Sequence, residues 1–222
     1  MGDRGNFRVL GKTASVSAMV MFLLIPLQII IFMLHPLPTD VQQWYALFHD
    51  SWLLGLVSLD LLYIIDNSLV ALVYLALYQL LKDVSPSRMR IALLLGFLGI
   101  AAYWASNPAF EMWHAQQQFQ LAQDSMSRQT WLIVGETLLL QWRGTAFITY
   151  YILNGVSLIL ISSVLLHSNY PKRIGRIGLV SGILMSIPST FGMVGLICSL
   201  LSLIPWLIFL AYLIPIFWKQ EY

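Results

Sequence analysis

Residues 59–82, LDLLYIIDNSLVALVYLALYQLLK, decide how the rest of the chain is arranged. The stretch is long and apolar enough to span a bilayer, which takes about 20 residues of α-helix. It nevertheless carries Asp60, Asp66 and Asn67. Ionisable groups at membrane depth are costly and normally face a partner, a cavity or a pathway. We therefore expect the other helices to surround these three side chains.

The composition places the whole chain in the same class. Of its 222 residues, 59% are hydrophobic and 10% are charged, whereas soluble domains carry about 25% charged residues. The mean hydropathy is +0.76. These values predict an all-α, polytopic transmembrane helical bundle that forms one integral membrane domain over residues 1–222. The net charge of +2 and the absence of a long basic run argue against nucleic-acid binding.

Hydropathy predicts six spans and one additional helix. In the additional helix, Met112, Ala115, Phe119, Ala122 and Met126 recur at three- and four-residue steps, which is typical of an amphipathic helix outside the membrane. Residues 35–50 are predicted to form a polar loop. The predicted spans cover about residues 15–34, 53–81, 91–106, 144–167, 174–189 and 196–218, and the amphipathic helix covers about residues 108–126.

Small and polar residues within these spans predict specific contacts. Gly178, Gly182 and Ser186 recur every four residues, and this spacing favours close packing against another helix. Gly96 and Gly99 indicate a second close contact, in the third span. Gln28 lies inside the first apolar run and needs a hydrogen-bond partner within the bundle.

The stretch 131–166 could cross the membrane once or twice, and the distribution of basic residues decides between these alternatives. Three cations lie near the amino terminus (Arg4, Arg8, Lys12), three near 82–90 (Lys82, Arg88, Arg90) and three near 172–176 (Lys172, Arg173, Arg176). One crossing places ten of the twelve cations in the cytoplasm, including Lys219, and leaves Arg128 and Arg143 outside. We therefore predict one crossing, both termini in the cytoplasm, and residues 130–143 as an outer extension or a separate short helix.

Three segments together resemble a known family: QQQFQLAQDSMSRQTWLIVGETLLLQW at 116–142, GTAFITYYILNGVSLILISSVLLHS at 144–168 and RIGLVSGILMSI at 176–187. They are similar to the bacterial membrane-protein family catalogued as domain of unknown function forty-three eighty-six. The resemblance covers roughly the last half of the chain and implies a six-helix protein of the bacterial cytoplasmic membrane. It supplies no catalytic residues, and we expect no cofactor.

Helix geometry gives the depth of the polar groups, at about 1.5 Å per residue from the basic turns. Asp66 comes out at about 24 Å, Asp60 at about 33 Å and Arg143 at about 36 Å from the cytoplasmic end. The matched depths predict that Asp60 and Arg143 pair beneath a polar outer cavity that reaches down to Asp66. We expect a ligand to meet Asp60, Asp66, Asn67, Glu136, Arg143 and Asn154 in this cavity.

Three function classes fit these residues. The first is binding or transport of a small or lipid-like molecule, with membrane lipids as the other partners. The second is a membrane-embedded metal-dependent hydrolase, for which Glu111, His114, His49, Asp50 and Glu136 are the candidate ligands or bases. One Glu-x-x-His motif is half of a di-metal site, so we expect no bound metal and favour the first class. The third class is a structural or partner-binding subunit.

We predict that a topology reporter fused at Lys172 reads as cytoplasmic. The basis is the charge asymmetry, because clusters of Lys and Arg in short loops stay on the cytoplasmic side. Alkaline phosphatase and green fluorescent protein fusions at the same residue provide the measurement and its control. A periplasmic signal at Lys172 would contradict the single crossing of residues 131–166.

Overall fold

The computed structural model describes residues 2–219, with the side chains of residues 8–219. Arg4, one of the amino-terminal cations, lies outside the described side chains. Within the described part the chain is all-helical. Its ten helices are α1 (Gly2–Leu34), α2 (Val41–Asp50), α3 (Trp52–Ser58), α4 (Leu61–Leu81), α5 (Pro86–Ser106), α6 (Ala109–Leu121), α7 (Ser125–Trp142), α8 (Thr145–Leu166), α9 (Lys172–Met185) and α10 (Gly192–Trp218).

Six of these helices form a closed ring. Around the ring the neighbours are α1, α4, α5, α8, α9 and α10, and α10 packs back on α1. The main hydrophobic core lies between them and includes Met21, Leu77, Leu158 and Phe209, each at most 1% exposed. The predicted six-helix bundle therefore corresponds to a ring of six packed helices.

The other four helices form a cap at one end of the ring. Helices α2 and α3 connect α1 to α4, and α6 and α7 connect α5 to α8. A second hydrophobic cluster joins them through Trp44, Tyr45, Phe48 and Met112. The Tyr45 hydroxyl donates to the Trp131 carbonyl at 2.6 Å, which ties α2 to α7. The cap is thus a packed unit and not a set of loose connections.

The basic residues cluster at the opposite end of the ring. The Lys12 ammonium lies 5.9 Å from the ring centroid of Trp218 on α10. The Arg173 guanidinium lies 4.7 Å from that of Tyr212, also on α10. Lys172 donates to the carbonyls of Leu166 and Ser168 at the end of α8. Of the basic residues, Arg128 and Arg143 are on the cap side. The two ends of the ring therefore differ in their number of basic residues.

Several predicted boundaries are wrong. The predicted loop at 35–50 is a connection only up to Asp40, which accepts from the Gln43 amide at 2.9 Å and starts α2, whose buried face carries Val41 and Trp44. The amphipathic helix at 108–126 is also too long. It ends at Leu121, and Asp124 then caps α7 by accepting from the Ser127 amide at 2.8 Å. Hydrogen bonds from the Ser127 hydroxyl and backbone amide lower the pKa of Asp124.

The second predicted span, at 53–81, is broken and not continuous. Between α3 and α4, Asp60 adopts a left-handed conformation with φ 66°, which Asp tolerates better than most residues. A helix break frees backbone carbonyls that need donors. Gln28 of α1 donates to the Val57 carbonyl at 3.2 Å, and Asn107 donates to the Leu59 carbonyl. Gln28 thus finds a hydrogen-bond partner as predicted, but on α3 of the cap and for its amide nitrogen.

Five segments are long and apolar enough to span a membrane: Arg8–Leu34, Leu61–Leu81, Pro86–Leu121, Ser125–Leu166 and Gly192–Trp218. Large apolar side chains on the ring also remain exposed, such as Leu23 at 70%, Leu94 at 60% and Ile204 at 58%. Such surfaces are rare on soluble proteins and are normal where lipid covers them. A multi-pass membrane protein is therefore indicated. At 14 residues, α9 is shorter than these five segments.

The small-residue stripe forms the predicted close contact. A Cβ atom added at Gly182 would lie 3.0 Å from the Gly155 carbonyl oxygen, and one added at Gly155 would lie 2.9 Å from both the Gly182 oxygen and Ser186 Cα. Helices α8 and α9 therefore touch backbone to backbone. Side chains of α4 and α8 likewise pack directly against the backbone at Gly96 and Gly99.

We expect Gly155→Ala to destabilise the protein by about 1–3 kcal/mol, the usual cost of overpacking. Ala favours a helix over Gly by up to about 1 kcal/mol, but at this position the added methyl meets backbone that cannot move alone. Thermal unfolding of the purified protein in detergent measures the effect. Ala101→Val, exposed on α5, is the control and should change little. Equal stability of Gly155→Ala and the wild type would contradict the close contact.

Candidate functional site

The ring encloses a cavity of about 1020 Å³ near its capped end. Ligand sites in proteins are typically about 300–1,000 Å³, so this one is at the upper end of the range. It is bounded by α1, α4, α8, α9 and α10, with Tyr103 from α5 and Trp142 from the cap. Of the residues predicted from the sequence, Asp60, Asp66, Asn67, Arg143 and Asn154 line it.

One face of α4 supplies much of the polar lining. Tyr63, Asp66, Asn67, Val70 and Tyr74 recur at steps of three and four residues, with Asp66 and Asn67 adjacent, and all five line the cavity. Val70 is the apolar member of this row. Helical spacing therefore directs two tyrosines, a carboxylate and an amide at the same space.

Most polar groups of the lining are paired within the protein. The Tyr74 hydroxyl donates to Asn154 Oδ1 at 3.2 Å, and Asn67 Nδ2 donates to the Tyr63 carbonyl at 2.9 Å. On the other side, the Tyr151 and Ser199 hydroxyls are 3.0 Å apart. These bonds hold the side chains in place, because a buried polar group without a partner costs free energy.

Asp66 is an exception to this pairing. It is 6% exposed, and its Oδ1 atom is buried without a hydrogen-bond partner. Three other buried side-chain oxygens in the described part of the chain share this property, on Gln28, Ser162 and Thr190. Of these, only Thr190 also lines the cavity. Two residues of the cavity lining, Asp66 and Thr190, therefore each carry a buried oxygen without a hydrogen-bond partner.

Asp60 does not form the predicted ion pair with Arg143. Its Oδ2 atom accepts from the Trp142 indole at 2.8 Å, and no ion pair joins the two residues in the described structure. The Arg143 guanidinium instead lies 4.7 Å from the ring centroid of Trp142, which is a cation–π distance. Asp60 and Arg143 do line one cavity. The direct partner, however, is an aromatic donor between them.

The cavity lies between α1 and α10 on one side. These helices contact each other at the basic end, where Ser15 Oγ donates to the Ile214 carbonyl at 3.0 Å. Toward the cap, their facing residues line the cavity and several remain exposed. Met33 of α1 is 76% exposed, and Met193 and Leu200 of α10 are 71% and 53% exposed. We call this apolar opening the side slit.

Glu136 is not in the cavity. It is exposed on α7, and its predicted place in the cavity required one unbroken helix through α7 and α8. The chain bends at Arg143 and Gly144, so α7 packs on the cap instead. Glu111, His114, His49 and Asp50 are also exposed. In the described part of the chain, no three His, Cys, Asp or Glu side chains come together as a metal site would require.

The aromatic part of the lining was not predicted from the sequence. Tyr103, Tyr150 and Tyr151 pack against one another, with Tyr103 and Tyr150 ring centroids 4.6 Å apart. Trp206 and Phe147 complete the aromatic walls. The helical spacing that places Tyr63 and Tyr74 on the same face as Asp66 is a signal that could have indicated it.

Comparison with known proteins adds no relative from which a role could be taken. The chain matches no protein-family model, no curated protein and no solved structure. The chemistry of the cavity therefore follows from its own residues alone.

We expect Trp142→Phe to lower stability by about 1–3 kcal/mol, because it leaves the buried Asp60 carboxylate without its donor. Arg143→Gln should cost less than about 1 kcal/mol, as for an exposed cation whose contact is with an aromatic ring. Thermal unfolding of both variants in detergent provides the comparison. If Arg143→Gln proves as destabilising as Trp142→Phe, Asp60 pairs with Arg143 in solution and the indole is not its main partner.

Proposed function

We propose that this protein binds a small or lipid-like molecule in the ring cavity and acts as a binding or transport protein of the bacterial cytoplasmic membrane. The observation that carries the proposal is the cavity itself, with its large volume, aromatic walls and the buried, unpaired Asp66. An unsatisfied carboxylate in a tightly packed interior is costly. A ligand or bound solvent in the cavity removes this cost.

The proposed membrane setting has six spans, formed by the six ring helices. Ten of the twelve cations belong to the amino terminus, the carboxyl terminus and the connections at the basic end. The positive-inside rule puts that end, and both termini, in the cytoplasm. The cap, including the amphipathic helix α6, then lies on the outer side with Arg128 and Arg143.

Helix α9 is about 21 Å long at 1.5 Å per residue, less than the ~30 Å hydrocarbon core. The irregular segment 186–191 has to complete the crossing. Non-helical backbone at membrane depth is tolerated where it is buried or lines a water-filled cavity. Ser189 and Thr190 of this segment line the ring cavity, which agrees with the proposed crossing.

The side slit supports a lipophilic ligand. Its walls are the exposed apolar residues of α1 and α10, which face lipid in the proposed orientation. A molecule dissolved in the outer leaflet can enter the cavity there without passing the cap. The polar groups of α4 and α8 then contact the polar end of the ligand, and the aromatic walls contact its apolar part.

The other function classes have less support. A metal-dependent hydrolase needs a set of converging ligands, and its candidates Glu111, His114, His49 and Asp50 are exposed on the cap. A purely structural role does not explain why the ring contains a large cavity. The resemblance of residues 116–187 to domain of unknown function forty-three eighty-six stays a hypothesis about ancestry, and it assigns no activity.

The proposal is tested with three lipophilic probes of related shape: tetraphenylphosphonium, tetraphenylborate and triphenylphosphine oxide. At least one should raise the thermal unfolding midpoint of the purified protein, because a ligand of the folded state at 100 times its Kd adds about 2.7 kcal/mol. Leu200→Trp should abolish this stabilisation by placing an indole in the slit.

Leu201→Trp provides the matched control. Leu200 and Leu201 are adjacent on α10 and similarly exposed, at 53% and 48%, but only Leu200 lines the cavity. Stabilisation should therefore survive in Leu201→Trp. If none of the probes stabilises the wild type, or if both tryptophan variants behave alike, the cavity is not the binding site.

A further inference from the structure

The charges of the cavity indicate which ligands it takes. Asp60 and Asp66 line it, and Arg143 is the one cation among its described lining residues. Arg143 is exposed at the cap end and lies over the ring of Trp142. Asp60 is already bound by the Trp142 indole. Asp66 is thus a carboxylate with no protein counterion in contact.

The surrounding rings have the matching property. The faces of tyrosine, phenylalanine and tryptophan rings carry negative electrostatic potential and attract cations, more strongly where water is excluded. Tyr63, Tyr74, Tyr150 and Trp206 line the same cavity as Asp66. A cavity lined by both a carboxylate and aromatic rings offers an organic cation two kinds of favourable contact.

A bare metal ion fits this site less well. Calcium takes six to eight oxygen ligands, and magnesium requires a near-octahedral set. No group of three metal-ligating side chains exists in the described part of the chain. A space of about 1020 Å³ is also far larger than one ion needs. The volume instead suits a bulky ligand whose charge is spread over apolar groups.

We infer that the ring cavity selects lipophilic organic cations, such as quaternary ammonium or phosphonium compounds, with Asp66 as the counterion of the bound charge. This inference rests on the proposed binding function and adds the sign of the ligand's charge. The positive centre lies against Asp66, and its apolar substituents contact the tyrosines and the walls of the side slit. No bond is made or broken.

The wild-type protein gives the first test. Tetraphenylphosphonium and tetraphenylborate have nearly the same shape and opposite charge, and triphenylphosphine oxide is neutral. The cation should bind at least about tenfold more tightly than the other two, by thermal stabilisation over a concentration series and by equilibrium dialysis in detergent. If the anion or the neutral probe binds as tightly and Leu200→Trp blocks it, the inference fails while the proposed function stands. If no probe binds, both fail.

The second test removes the charge with Asp66→Asn. Affinity for tetraphenylphosphonium should fall by about tenfold or more, since a charged partner becomes a neutral one. Affinity for triphenylphosphine oxide should stay the same, which also reports that the variant is folded. Asp83→Asn is the matched control, because Asp83 is exposed beyond the other end of α4 and outside the cavity lining. Equal cation affinity in Asp66→Asn and Asp83→Asn would overturn the role of Asp66.

Discussion

The helix break at Asp60 is the constraint on which the arrangement of this protein depends. Three side chains from other elements bind it: Gln28 of α1 at the Val57 carbonyl, Asn107 at the Leu59 carbonyl and Trp142 of α7 at the Asp60 carboxylate. Two of these donors bind backbone carbonyls beside the break, and the third binds the side chain of the residue that makes it. The break thereby joins the ring to the cap, and it places the start of α4 beside the cavity.

The two carboxylates of residues 59–82 show how surroundings separate roles in one stretch of sequence. Asp60 is used for structure, because its carboxylate is bound by an indole and its backbone makes the break. Asp66 lies further along α4 and has an oxygen without a partner. Buried polar groups in proteins are normally satisfied, so an exception that faces a cavity calls for a functional explanation.

Much of the ring could be predicted from the sequence, because apolar length and small-residue spacing are local signals. The bounds of α8 and the contact made by Gly178, Gly182 and Ser186 are of this kind. The cap could not be predicted as well. Its helices are short and owe their stability to packing against each other. The rings of Trp44 and Trp142, for example, have their centroids 5.7 Å apart. The sequence pairs Asp60 with Arg143 because the two side chains carry opposite charges. In the structure the hydrogen-bond donor to Asp60 is the indole N–H of Trp142.

The side slit between α1 and α10 has a consequence for how fast the cavity fills. Its apolar walls face the surroundings of the ring, and the cap lies over one end. A ligand that arrives through the slit comes from the lipid phase, where its concentration is the aqueous value multiplied by its partition coefficient. Two compounds of equal affinity from water would then fill the cavity at different rates, because their concentrations beside the slit differ. Comparisons of association rates across a ligand series therefore need the mole fraction in the bilayer as their scale.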